Sequence, residues 1–197
     1  MRGPTWEDVS GGVGPRVTVP VTMGPDEAAR ELAPRLSALA GERAPASSGE
    51  AGARPGVPVV TIDGYSGSGK STLAAALARL VNGWQVLHLD DWYPGWDGLA
   101  EGAHIARRIA ADLRGGRASS YEAWDWENGR TGAMISVPLA PTIIEGCGAI
   151  DAEADLSVWI ADPGEDERRS RALARDGQTY APHWQRWARQ DLGRPVK

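Results

Sequence analysis

The stretch TIDGYSGSGKST, residues 61–72, constrains this chain more than any other. Gly64, Gly69, Lys70 and Ser71 stand at the spacing G-x-x-x-x-G-K-[ST], between the apolar run VPVVTID and the alanine-rich STLAAALARLVNG. Glycine-rich backbone in that place turns sharply and aims its N–H groups at a polyphosphate. The helix that follows adds the positive end of its dipole. Gly64, Ser66, Gly67, Ser68, Gly69, Lys70, Ser71 and Thr72 are therefore expected to cradle the phosphates of ATP. In that cradle Lys70 reaches the β- and γ-phosphates and the Ser71 hydroxyl ligates Mg2+.

Downstream of Val57 strand and helix patterns alternate. WQVLHLD, APTIIEG and ADLSVWIAD read as further strands, and LAEGAHIARRIAADLRGG, GEDERRSRALARDG and PHWQRWARQDLG as helices. The expected fold class is α/β: a parallel sheet whose strands are joined by right-handed helical crossovers. Residues 1–56 form an N-terminal extension ahead of the nucleotide-binding domain at 57–197. Within the extension RVTVPVT is a candidate edge strand, PDEAARELAPRLSALAGER a helix that Pro34 should kink, and APASSGEAGARPG a linker.

Net charge of −5 leaves no basic footprint for nucleic acid. The single Cys147 excludes a disulfide framework. No apolar run reaches the ~18–20 residues that span a bilayer. The start lacks an apolar export segment, so a cytoplasmic location is expected. Association with further copies of itself is left open.

Binding a triphosphate leaves its use undecided. No Asn-Lys-x-Asp element for guanine follows, which argues against a switch GTPase. The strand VLHLDDWYPGW ends in Asp90 and Asp91, at the sheet edge where open α/β folds bind ligands. A carboxylate there can take a proton from an acceptor hydroxyl or serve a metal. Trp92 and Tyr93 beside it suit a ring-bearing substrate. Glu145 ends the strand of IIEG, where a carboxylate can serve Mg2+. Arg168, Arg171 and Arg175 recur at helical spacing, as a lid over the γ-phosphate would need. His88 and His104 have no metal-like partner spacing and read as structural.

In their order GYSGSGKST, DDWY, WDWENGR, IIEG and ERRSRALARD, the motifs resemble the uridine kinase and phosphoribulokinase family over about Val59 to Asp176. The resemblance implies a P-loop kinase fold, a parallel sheet with helices on both faces, and transfer of the γ-phosphoryl of Mg·ATP to a small-molecule hydroxyl, of a nucleoside in the uridine kinases. It implies Asp90 as catalytic base, Lys70 and Arg171 in catalysis, and Arg168 and Arg175 on phosphate. Ser71, Asp90 and Glu145 would surround the metal. Asp91, Trp92, Tyr93, Trp124, Asp125, Trp126 and Arg130 would form the acceptor pocket. Trp124 stands where the family has a tyrosine, and no histidine follows it. The alternative reading is an ATP-binding regulatory protein with no small-molecule acceptor.

Overall fold

The computed structural model describes residues 14–42 and 55–194. Five strands form one parallel sheet in the order β1 (Arg16–Val19), β7 (Leu156–Ile160), β2 (Val59–Asp63), β6 (Thr142–Glu145), β3 (Gln85–His88). The α/β class with helices on both faces is what the structure has. β2 lies at the centre, and all five of its residues are buried. Its side chains alternate between faces, as pleating requires. Val60 and Ile62 pack with α1 (Pro25–Glu42) and α2 (Lys70–Ala78). Val59 packs on the other face with α3 (Leu99–Arg114). Trp184 and Trp187 of α5 (Trp184–Leu192) join that second cluster.

The segment read as an extension belongs to this unit. β1 pairs in parallel with β7, and Ala28, Ala29, Leu32 and Leu36 of α1 are buried in the core shared with β2. A boundary at residue 56 therefore falls inside one packed body. Residues 1–13 and most of the linker lie outside the described residues. Pro34 does not divide α1, which runs through it as one helix. A proline forfeits one backbone hydrogen bond, and the buried stripe holds the helix on either side of it.

Two further features were not anticipated. Residues 119–137 form an antiparallel hairpin of β4 (Ser119–Asp125) and β5 (Arg130–Val137), outside the main sheet. Its turn contains Asn128-Gly129, a common hairpin signal, and Asp125 accepts hydrogen bonds from the Asn128 backbone N–H and side chain. Helix α4 (Glu165–Tyr180) is broken at Gly177, whose φ of 57° and ψ of −135° only glycine adopts readily. Among the described residues no helix is long and apolar enough to cross a membrane.

Register sets the site. Ile62 of β2 and His88 of β3 both lie opposite Glu145 of β6, so three strands end together at one carboxyl edge.

If α1 is integral, Leu32→Ala should lower the stability of the whole domain by about 3 kcal/mol. Leu32 is 0% exposed between helix and sheet. A single shifted urea transition is expected, followed by tryptophan fluorescence; a separate early transition would mean that α1 folds apart from the sheet.

Candidate active site

β2 runs straight into the phosphate loop, and α2 opens at Lys70 with Gly69 in a left-handed conformation as its N-cap. Gly67 has φ 81°, and a Cβ built there would lie 2.2 Å from the Arg168 carbonyl oxygen. The loop thus passes directly against the start of α4, at a contact that leaves no space for a side chain. The Lys70 ammonium is buried and donates to the carbonyls of Gly64 (2.9 Å) and Tyr65 (3.1 Å) and to the Cys147 sulfur (3.3 Å). Burial alone would lower its pKa, but Cys147 and the carboxylates of Asp191, Glu145 and Asp63 outweigh that and raise it. Lys70 is therefore a cation at any physiological pH.

Beneath the loop lies a buried ionic cluster that sequence reasoning missed. Asp63, 0% exposed, accepts from the backbone N–H groups of Gly64 (2.6 Å), Gly148 (2.9 Å) and Ile150 (3.0 Å). Arg194 donates to both of its oxygens, at 2.7 and 3.1 Å, and also to Asp191 at 2.7 Å. Asp191 in turn accepts the Ser66 backbone N–H at 2.7 Å. The segment after α5 is thereby tied to the end of β2, to the turn after β6 and to the loop itself. Nothing in the spacing of Asp63, Asp191 and Arg194 announces this, because the partners lie 131 and 3 residues apart from Arg194.

Over the loop opens a cavity of about 1110 Å3. Gly67, Gly69, Lys70, Ser71 and Thr72 line it on the side of the glycine-rich loop, and Arg171 and Arg175 also line it. Asp90, Asp91 and Glu145 line the floor. Gly64 and Ser68 are not in the lining, although the Gly64 carbonyl holds Lys70. Asp90 and Asp91 sit on the 3-10 turn Leu89–Asp91 that ends β3. The Asp90 side chain is 60% exposed and lines the cavity. Displacement of water there, and then Glu145 nearby, raise its pKa, while Lys70 and Arg175 pull the other way. Burial likewise raises Asp91, whose carboxylate lies 3.5 Å from the Tyr121 hydroxyl.

Glu145 is 3% exposed. Burial would raise its pKa, but a hydrogen bond to His88, the charge of Lys70 and a hydrogen bond from Ser71 bring it below its ordinary value. His88 Nδ1 lies 2.5 Å from Glu145 Oε1, and that bond raises the histidine pKa against the effect of its own burial. His88, read from sequence as merely structural, therefore orients a carboxylate at the cavity floor. The register of β3 on β6 sets this pairing.

The arginines separate. Arg171 and Arg175 reach the cavity, where Arg171 pairs with Glu167 at 2.8 Å and Arg175 grips Asp176 at 2.7 Å and lies 4.0 Å from Asp90. Arg168, expected on phosphate, is 2% exposed beneath α4. It donates to Asp162 at 2.8 Å and to the Ser66 carbonyl at 3.3 Å, over the rings of Tyr65 and Trp184. Its place is behind the loop, bracing it.

The expected acceptor pocket also needs correction. Trp92 is 1% exposed, packs at a tilt against Tyr121 and gives its indole N–H to the Gly102 carbonyl, so it belongs to the core. Trp124 is half-buried and outside the lining, with its ring near Gly95. Asp125 and Arg130 pair at 3.7 Å at the hairpin turn, and neither lines the cavity. Trp126 does line it, and fastens the hairpin by donating to the Asp90 carbonyl at 2.8 Å. Tyr93 touches the cavity but is otherwise enclosed, its hydroxyl on the Cys147 carbonyl at 2.7 Å. In place of Trp92 and Trp124 stand Trp96, Tyr180, His183 and Trp187.

The group has the chemistry to hold Mg2+ with few protein ligands. Ser71 and Glu145 both line the cavity and supply hard oxygen donors. Mg2+ keeps several waters and draws other ligands from substrate phosphates. Among the described residues no cluster of three or more His, Cys, Asp or Glu is arranged to hold a metal.

No protein-family model matches the sequence, and no curated protein matches it. Solved structures do. A possible uridine kinase from Bacillus stearothermophilus is 19% identical, with a TM-score of 0.42 over 79% of this chain and 92% of that one. A protein described as a fructose transport system kinase from Silicibacter is 22% identical, with a TM-score of 0.46 over 80% and 87%. A D-glycerate 3-kinase from Cryptococcus neoformans is 14% identical, with a TM-score of 0.40 over 84% of this chain and 64% of that one.

Arg194→Ala would leave the Asp63 and Asp191 carboxylates buried without their cation. It should cost about 3–5 kcal/mol of stability. Arg194→Lys, which keeps the charge but loses the fork, should recover part of that. Urea denaturation of the three proteins measures both effects, and an unshifted midpoint for Arg194→Ala would remove the cluster from its structural role.

Proposed function

We propose that this protein is an ATP-dependent small-molecule kinase that passes the γ-phosphoryl group to an acceptor hydroxyl, most plausibly that of a nucleoside. One observation carries the reading: the buried Lys70, Ser71, Asp90 and Glu145 open on one cavity large enough for two substrates. A protein that only bound ATP has no need of a carboxylate facing a second compartment beside the phosphates.

The loop N–H groups and the head of α2 receive the triphosphate, and Lys70 turns from its loop carbonyls to the phosphate oxygens. Mg2+, held by Ser71 and Glu145, would offset negative charge on the phosphates. Asp90 accepts the proton of the acceptor hydroxyl as its oxygen approaches phosphorus in line. Arg171 and Arg175 stand over the phosphate end and compensate charge that builds on the transferring group. His88 holds Glu145 in one orientation, as the partners of metal ligands commonly do.

Asp90→Asn should lower acceptor-dependent kcat by about 10²–10⁴-fold, the usual share of a general base, with ATP affinity unchanged. Lys70→Ala should weaken ATP binding by roughly 10–100-fold, the range for lost charge-assisted hydrogen bonds. ADP release and titration with a non-hydrolysable ATP analogue separate the two. Turnover by Asp90→Asn within a few-fold of wild type would remove the base assignment. ATP bound tightly with no acceptor-dependent release from any alcohol would favour a regulatory protein instead.

The pH profile gives an independent check. Because the pKa of Asp90 is raised, the base takes up its proton at a higher pH than an ordinary aspartate. The acidic limb of kcat/KM should therefore lie above the usual value of about 3.9, with activity lost as pH falls through it. Circular dichroism over the same range controls for unfolding, and a limb that stays put in Asp90→Asn would assign it to another group.

A further inference from the structure

We propose that Tyr180 serves the nucleotide through Ser66: their two hydroxyls form a relay that presents one O–H hydrogen to the terminal phosphoryl group of ATP. The inference rests on the kinase reading above and deepens it at the phosphate loop. The two oxygens lie 2.9 Å apart, and both residues line the cavity. Among the described residues neither hydroxyl has another hydrogen-bond partner. A pair of hydroxyls carries two hydrogens and uses one for the bond between them. The second is left for whatever occupies the cavity.

Lys70 sets what that occupant is. Its ammonium donates to the Tyr65 carbonyl at 3.1 Å, so the cation that would reach the β- and γ-phosphates waits one residue from Ser66. Ser66 itself is held in place. Its N–H is bound by Asp191 at 2.7 Å, and Arg168 donates to its carbonyl at 3.3 Å. With the backbone pinned on both sides, only the hydroxyl rotor remains to be set.

Tyr180 sets it. Its ring is 4% exposed, parallel to Trp96 at 5.3 Å and edge-on to Trp184 at 5.7 Å, so the phenol is held in one position. A phenol is a stronger acid than an aliphatic hydroxyl, so Tyr180 donates and Ser66 accepts. Burial keeps the phenol protonated above its ordinary pKa, and hence a donor at any working pH. Accepting that bond orients the Ser66 O–H and polarises it, since hydrogen bonds in series strengthen one another. A donor aimed in advance at the charge of a transferring phosphoryl group needs no reorganisation during the reaction.

ADP lacks the group that the relay addresses, and AMP-PNP keeps it in a non-transferable form. The test is titration of Mg·AMP-PNP and of Mg·ADP into the wild type, Ser66→Ala, Tyr180→Phe and the double variant. Ser66→Ala should weaken AMP-PNP binding about 10–100-fold, as loss of a hydrogen bond to a charged group does, and ADP binding by less than about twofold. Tyr180→Phe, which keeps the ring and its stacking, should weaken AMP-PNP binding by about three- to tenfold, again with ADP unaffected. Because Tyr180 acts through Ser66, the double variant should bind AMP-PNP no more weakly than Ser66→Ala. Equal weakening of both nucleotides would overturn the inference, since the pair would then only shape the loop. So would unchanged AMP-PNP affinity in either single variant, or additive losses in the double one. Each of those results leaves the kinase reading standing. A wild-type protein that bound neither nucleotide would overturn the kinase reading and this inference together.

Discussion

The salt bridge from Arg194 to the fully buried Asp63 holds the site together. Asp63 is the last residue of the central strand, and its two oxygens also collect the N–H groups of the phosphate loop and of the turn after β6. Such a carboxylate cannot remain ionised in the interior without a matched cation and a full set of donors. Arg194 supplies the cation from the far end of the chain, and Asp191 extends the pairing to the Ser66 N–H. The loop's curvature and the position of α5 both depend on this one charge being neutralised in place.

Around that anchor the molecule separates tasks by element. Strand ends supply the carboxylates, because β3 and β6 terminate in register. The first part of α4 supplies two arginines to the phosphate end, and the part after Gly177 supplies Tyr180 to the aromatic end. The hairpin, which takes no part in the main sheet, contributes Trp126 and is fastened at the turn that carries Asp90. Arg168 serves the loop from behind, where its guanidinium brings together Asp162, the Ser66 carbonyl and two rings.

Much of the framework was legible in the sequence because it depends on neighbours along the chain. The glycine-lysine spacing, the apolar run before it and the strand-helix alternation are local signals, and each is where it was expected. What failed were judgements about direction in space. Arg168, Arg171 and Arg175 do share a helical period, but period says which residues align and not what the aligned face meets; the first is covered by the loop and Trp184, the other two open on the cavity. Trp92 and Trp96 both follow Asp90, yet one enters the core and the other the cleft, decided by the Gly102 carbonyl that receives the Trp92 N–H and by Gln190 that holds Trp96. The pairs Asp63–Arg194 and His88–Glu145 join distant segments, and no local pattern encodes them. The hairpin does have a local signal, Asn128-Gly129 between β4 and β5.

Lys70 makes three contacts within the protein, to two carbonyls and a sulfur. On the proposed reading, its capture of a phosphate would be an exchange reaction: contacts to the loop would be given up as contacts to the ligand form. The free energy of binding would then be the difference between two hydrogen-bonded states of one buried ammonium, which would temper affinity and ease departure of the spent nucleotide. A lysine left bare in the same place would grip harder and release more slowly.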